Sequence, residues 1–227
     1  MLRRVLLASF AALLAPDALA QPVALLDSLT QADASRGVKD ALALAAMNAT
    51  GRLGQRDGFF GAPRVRIPLP GLLDQAQRSL GRMGLGAPLD DLQLRLNRAA
   101  EATMTEAGRL FVNAVRTMTL ADAIQIVRGP DNSATTYLRS RTEPRLTTLL
   151  RPPMTSALTQ SGAFVLLRQV AGSMGMASQT TSLRGQIIDF ATTKALDGSF
   201  LYIADEERAI RHDPVRRSTD ILRRVFG

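Results

Sequence analysis

Glu101 falls one turn after Asn97 on a helical segment that is apolar over much of its circumference, between Leu94 and Met104. A carboxyl group in such surroundings has two uses. Desolvation raises its pKa and suits it to general-acid work, the single-glutamate chemistry of metal-free, cell-wall-active, glycan-cleaving enzymes. Alternatively it pairs with a cation and holds structure, because unpaired burial of a charge costs several kcal/mol. Sugar clefts stack rings on aromatics, and this chain has no Trp and only Tyr137 and Tyr202 as tyrosines, which favours the structural use.

Other polar residues fall at telling spacings. Glu207 and Arg211 are one helical turn apart and can pair on one helix. With Asn97 and Glu101 they are expected to form a polar network between the long central helix and the C-terminal helices. In GFFGAPRVRIPLP, Gly58 to Pro70, Arg64 and Arg66 alternate with Val65, Ile67 and Leu69. Pro63, Pro68 and Pro70 remove backbone donors and forbid a central strand, so the stretch is expected to be an extended strap with its aliphatics on the helices and its arginines facing away. Arg66 is the leading candidate for contacting an anion or for neutralising Glu101. Tyr137 and Asp197 complete the candidate binding set, and no residue is assigned a catalytic role.

Several chemistries lack their residues. His212 is the sole histidine and there is no cysteine, so a zinc or iron site would have to be almost all carboxylate; neither a metal nor a cofactor is expected. Asp131-Asn132-Ser133 resembles the start of a calcium loop, but the glycine and terminal acid that such a loop needs are missing, and a helix cap is the expectation. Ala171-Gly-Ser173-Met-Gly175 has the outline of a nucleophile elbow without the strand that strains it. Phosphate-cradling glycine motifs are absent.

Charge and the first residues point to export. Arg3 and Arg4, the apolar run Val5–Ala15 and Ala18-Leu19-Ala20 make the three parts of a secretory leader cleaved after Ala20, leaving 207 of the 227 residues in the periplasm. The net charge is +8; losing Arg3, Arg4 and Asp17 with the leader leaves +7. An exported basic protein meets anionic lipid or acidic envelope polymers rather than nucleic acid. No transmembrane helix is expected in the mature chain, and without cysteine its stability must come from packing.

The elements that must position these residues are helices. After a flexible segment at 21–32, a single all-α domain is expected over 33–227, compact around a long central helix. Asp33 caps a helix to Leu53; Leu72, Leu73, Ala76 and Leu80 make one face of a short helix after Pro70. Pro88 opens the long helix to about Arg116, striped by Leu89, Leu92, Leu96, Ala100, Ala107 and Phe111. Thr119-Leu-Ala-Asp122 is a capping-box start. Asp131 or Ser133 caps the next helix, which Pro144 ends, and Pro152-Pro153 is a further break. Leu183 restarts a helix, Asp197-Gly198 punctuates it, and Phe200 to Ile210 make another. Thr219–Phe226 is a closing basic helix whose apolar face is expected to pack on the domain's own core, with an anionic membrane surface as the alternative.

The runs GFFGAPRVRIPLP, LNRAAEAT, MTLADAIQIVRG, ATTYLRSRT, KALDGSFLYIADEERAIR and TDILRRVFG, in this order and spacing, resemble the bacterial family catalogued as domain of unknown function 4197. The resemblance runs from about Asp33 to Gly227 and is weakest over Gly162–Ser182. It implies an exported helical protein and brings no activity, cofactor or catalytic residue. Its motif positions fall on Arg66, Asn97, Glu101, Tyr137, Asp197, Glu207 and Arg211.

Overall fold

The computed structural model describes residues 20–173 and 180–212. Of the leader expected over the first twenty residues, the part up to Leu19 lies outside the described residues, as do Gly175 of the elbow-like motif and the basic helix expected at 219–226. Seven helices follow one another: α1 (Ala20–Leu53), α2 (Gly71–Arg82), α3 (Ala87–Arg116), α4 (Leu120–Arg128), α5 (Ser133–Gln160), α6 (Gly162–Ser173) and α7 (Thr180–His212). No strand occurs among the described residues, and the class is all-α. The four long helices close into a ring in which α3 packs on α5, α5 on α7, α7 on α1 and α1 on α3, with little contact between α3 and α7 across the middle.

α3 runs down this bundle as the stripe predicts. Leu89, Leu92, Leu96, Ala100, Met104, Ala107 and Phe111 are all buried, and the Phe111 ring meets Phe200 of α7 edge-on at 5.6 Å. Pro88 sits in its first turn, where the missing donor costs nothing. α4 opens with the expected capping box: Thr119 Oγ1 accepts from the Asp122 amide, and Asp122 accepts from Thr119 N. Those bonds from Thr119 hold the Asp122 carboxyl below its ordinary value.

Four expectations change. α1 begins at Ala20, ahead of Asp33, and takes residues 21–32 into the helix. Pro144 and Pro152-Pro153 do not break the chain: all three lie inside α5. Pro144 and Pro152 are exposed, as are Ser140 and Thr148, whose carbonyls lose a donor and can turn to water, while Leu138, Leu146, Leu150 and Met154 keep an unbroken buried stripe. Packing of that stripe outweighs the lost bonds. The helix cap expected from Asp131 or Ser133 is supplied by neither, since Asn132 is the N-cap residue and makes no side-chain cap bond. Asp131 instead meets His212 Nε2 at 2.6 Å, and Ser133 Oγ donates to Pro130 O.

The fourth change is at Asp197-Gly198, which lies within the continuous α7. Gly198 is a notch where the strap crosses: a Cβ there would stand 2.9 Å from Phe59 Cε1 and 3.1 Å from Val65 Cβ. Gly185, on the same helix, has open space around it. Alanine at the two positions is therefore expected to have opposite effects in urea unfolding. Gly185→Ala gains up to about 1 kcal/mol of helix propensity, whereas overpacking of about 1–3 kcal/mol makes Gly198→Ala a net loss.

Candidate functional site

The strap is built from the bundle outward. Residues 54–65 form successive turns, with Asp57 at a positive φ of 68°, and the chain is extended only from Arg66 to Pro70. Val65, Ile67 and Leu69 are buried and Arg64 and Arg66 are exposed, so the expected alternation holds. The prolines leave few backbone donors, and α3 meets those that are buried. Asn97, fully buried, accepts from Ile67 N at 2.9 Å and donates to Ile67 O at 2.9 Å, as a neighbouring strand would.

One turn on, Glu101 Oε1 accepts from Phe59 N at 3.0 Å and Phe60 N at 3.1 Å. Its other oxygen pairs with Arg98 Nη1 at 2.7 Å, and Arg98 Nη2 reaches Asp57 at 2.7 Å. Glu101 is only 5% exposed, with both oxygens engaged, so it faces the strap backbone and not an open cleft. The cation beside it is Arg98 on its own helix. Arg66 is elsewhere: its Nε donates to Phe60 O, and its guanidinium lies 4.9 Å over the Phe60 ring. The bonds to Glu101 and then Asp57 raise the Arg98 guanidinium above its ordinary value.

Glu207 and Arg211 pair as expected, Arg211 Nη2 to Glu207 Oε1 at 3.0 Å, but in a second place with a different task. Glu207 Oε1 accepts from Ala134 N at 2.9 Å, and Oε2 from Thr135 N at 2.9 Å and Thr135 Oγ1 at 2.8 Å. Arg211 Nη2 also donates to Ile126 O at 2.8 Å, in the last turn of α4. One residue of α7 therefore caps the start of α5 from outside and the next turn caps the end of α4, each charge matching the helix end it meets. The expected four-residue network is thus two separate clusters, because Asn97 and Glu101 are occupied by the strap and Glu207 and Arg211 by the α4–α5 junction.

Three other candidates do converge. Arg64, Arg66 and Asp197 line a cleft of about 370 Å³ between the strap and α7, joined by Lys194 and floored by Val65, Gly198 and Leu201. Asp197 is matched by Arg139 at 3.1 Å and Arg64 by Asp205 at 2.8 Å; the Asp205 bond raises the Arg64 guanidinium above its ordinary value. No carboxylate meets Arg66 or Lys194 among the described residues, and the Lys194 ammonium stands 5.6 Å from the Phe190 ring. Tyr137 lies apart, between Asp122 and Arg141, where burial and then the Asp122 charge raise its phenol.

Arg98 and Lys194 escaped the sequence reading although both left a signal: Arg98 stands three residues before Glu101, and Lys194, Asp197, Gly198 and Leu201 share one helical face. Among the described residues no cluster of three His, Asp or Glu side chains is placed to hold a metal. No single described helix is long and apolar enough to cross a membrane.

The strap, the Asn97 and Glu101 side chains that hold it, and Glu207 and Arg211 all lie within the runs quoted above, and the family described as protein of unknown function, DUF4197, matches over residues 28–227. The chain belongs to the DUF4197 family. No curated protein and no solved structure matches it. Of the candidate residues, Asn97, Glu101, Glu207 and Arg211 hold elements together, while Arg66 and Asp197 face the cleft.

Proposed function

We propose that this protein is exported to the periplasm and acts there as a non-catalytic binding protein for an anionic component of the envelope. The observation that carries the reading is the strap cleft: Arg64, Arg66 and Lys194 line it, and its one acid, Asp197, is already matched by Arg139. Arg66 is held by Phe60 O and the Phe60 ring, so its remaining N–H groups are oriented before any ligand arrives. The leader-like first twenty residues and the positive net charge support the location and the sign of the ligand. Glu101, the candidate for glycan cleavage, has both oxygens committed to the strap and to Arg98, which weighs against the enzyme reading.

Inorganic polyphosphate and phosphatidylglycerol vesicles are suitable probes for the full chain. Arg66→Ala combined with Lys194→Ala is expected to weaken binding at low salt by about tenfold, equivalent to about 1.4 kcal/mol, with the difference shrinking as salt screens it. Binding that is indifferent to this double change would remove the cleft as the site. Vesicle binding lost instead on deleting 213–227 would move the contact to the basic C-terminal segment.

A further inference from the structure

A second concavity, away from the strap cleft, lies along the outer seam of α1 and α3. The two helices run antiparallel there: a Cβ on Gly108 would stand 2.7 Å from Thr50 Oγ1, and one on Gly54 3.2 Å from Met104 Cβ. Glycines thus let the backbones close together, and the side chains that would fill the seam are missing. The result is a groove of about 680 Å³ with three features on its walls. Its floor is Gly51, Gly54 and Gly108, its α1 wall is Met47, and its α3 wall carries Arg109 and Arg116.

The walls differ in character. Met47 is 58% exposed and Leu44, one turn before it, 52% exposed, an apolar edge with nothing over it among the described residues. The opposite wall is basic, and no acidic side chain lines the groove. Arg109 pairs with Glu106 at 2.8 Å, an exposed bridge of little worth that a stronger partner can displace. Arg116 has no acidic partner among the described residues.

Charge and length point to the occupant. Arg109 and Arg116 are seven residues apart, two turns on the same face and about 10.5 Å along the axis, so they set two positive charges in a row along one wall. They match two anions in a row. The α3 wall runs from Thr105 to Arg116, about three turns or roughly 16 Å. We infer that the α1/α3 groove docks an acidic amphipathic helix of a partner protein. Its acids, seven positions apart, meet Arg109 and Arg116, and its aliphatic side chains lie against Met47 and the glycine floor.

The test uses full-length protein in its native cells, carrying a benzoyl-phenylalanine photo-cross-linker at the exposed groove position Thr105, with the captured peptide sequenced by mass spectrometry. The expected capture is a peptide of another protein with two acidic residues seven apart and aliphatics between them. Arg116→Glu and Met47→Glu each lower its yield at least tenfold, Met47→Leu preserves it, and reversing the partner's acid to lysine restores capture by Arg116→Glu. Thermal unfolding of each variant separates a lost surface from a lost fold. Capture of a second copy of this chain, of lipid or of no polypeptide, or a yield indifferent to Arg116→Glu in a folded variant, overturns the inference.

Discussion

Glu207→Ala is expected to lower stability by about 3–5 kcal/mol, the cost of breaking a buried ion pair from one side. Glu207 is 2% exposed, and the substitution removes the acceptor for Ala134 N, Thr135 N and Thr135 Oγ1 while taking away the carboxylate that Arg211 grips through Nε and Nη2. For a chain of this size the loss corresponds to a melting temperature lower by roughly 6–20 °C. The companion variants decide what the loss consists of. Glu207→Ala with Arg211→Met no longer buries a charge without its carboxylate, yet still leaves the first amides of α5 without an acceptor. The double variant should therefore lose less than the two single variants summed, and a double-mutant cycle by urea unfolding reads the coupling as about 0.5–3 kcal/mol. Strict additivity would mean that Glu207 acts only as a cap and that its pairing with Arg211 contributes nothing.

That pair also marks the limit of reading the sequence. The i, i+4 spacing of Glu207 and Arg211 is visible in one dimension, and so is their bond. What the pair does is not, because the amides it caps lie at Ala134 and Thr135, more than seventy positions earlier. Asp131 and Ser133 looked like local caps for the same reason: local chemistry is all that a sequence displays, and a distant carboxylate had taken the place. The same asymmetry governs proline and glycine. Pro144, Pro152 and Pro153 have a real local cost, but a stripe of buried leucines across them is worth more than the bonds they delete, so α5 continues. Gly198 is a weak point in a helix considered alone and a necessary gap once Phe59 and Val65 lie on it.

Patterns that depend on periodicity were legible: the α3 stripe, the Thr119–Asp122 box and the alternation of the strap. They report which way a side chain faces, and facing is set by the local backbone. Partner choice is a different quantity. Arg66 is close in sequence to Phe59 and Phe60 and is the cation that the sequence offers to Glu101, but the strap's alternation turns it outward onto the Phe60 ring. Arg98, already on α3, reaches Glu101 from three residues away. The α1/α3 groove was hidden for a related reason, since Gly51 and Gly54 end a helix in the sequence and floor a concavity only when Gly108 is brought opposite.

Glu101→Ala should separate a structural glutamate from a chemical one. The substitution leaves Phe59 N, which is buried, and Phe60 N without their acceptor, and at about 1–3 kcal/mol for each buried unmet donor the expected loss is about 2–4 kcal/mol. It should be local in form. Amide hydrogen exchange is expected to speed up at Phe59 and Phe60 while the Ile67 amide, held by Asn97, keeps its protection; Asn97→Ala should give the reverse pattern. Because the strap carries Arg64 and Arg66, Glu101→Ala should also weaken polyphosphate binding without touching the cleft. Glu101→Gln retains an oxygen able to accept from both amides but sets an NH2 donor opposite the Arg98 guanidinium, whose side chain is 31% exposed and can turn to Asp57 and water. Its cost is expected near 1 kcal/mol, with exchange and polyphosphate binding close to those of the parent. A general acid would behave otherwise, since glutamine has no proton to give. A glycan-cleaving activity present in the parent and abolished by Glu101→Gln, with Phe59 and Phe60 still protected, would restore the enzyme reading and displace the one argued from the strap.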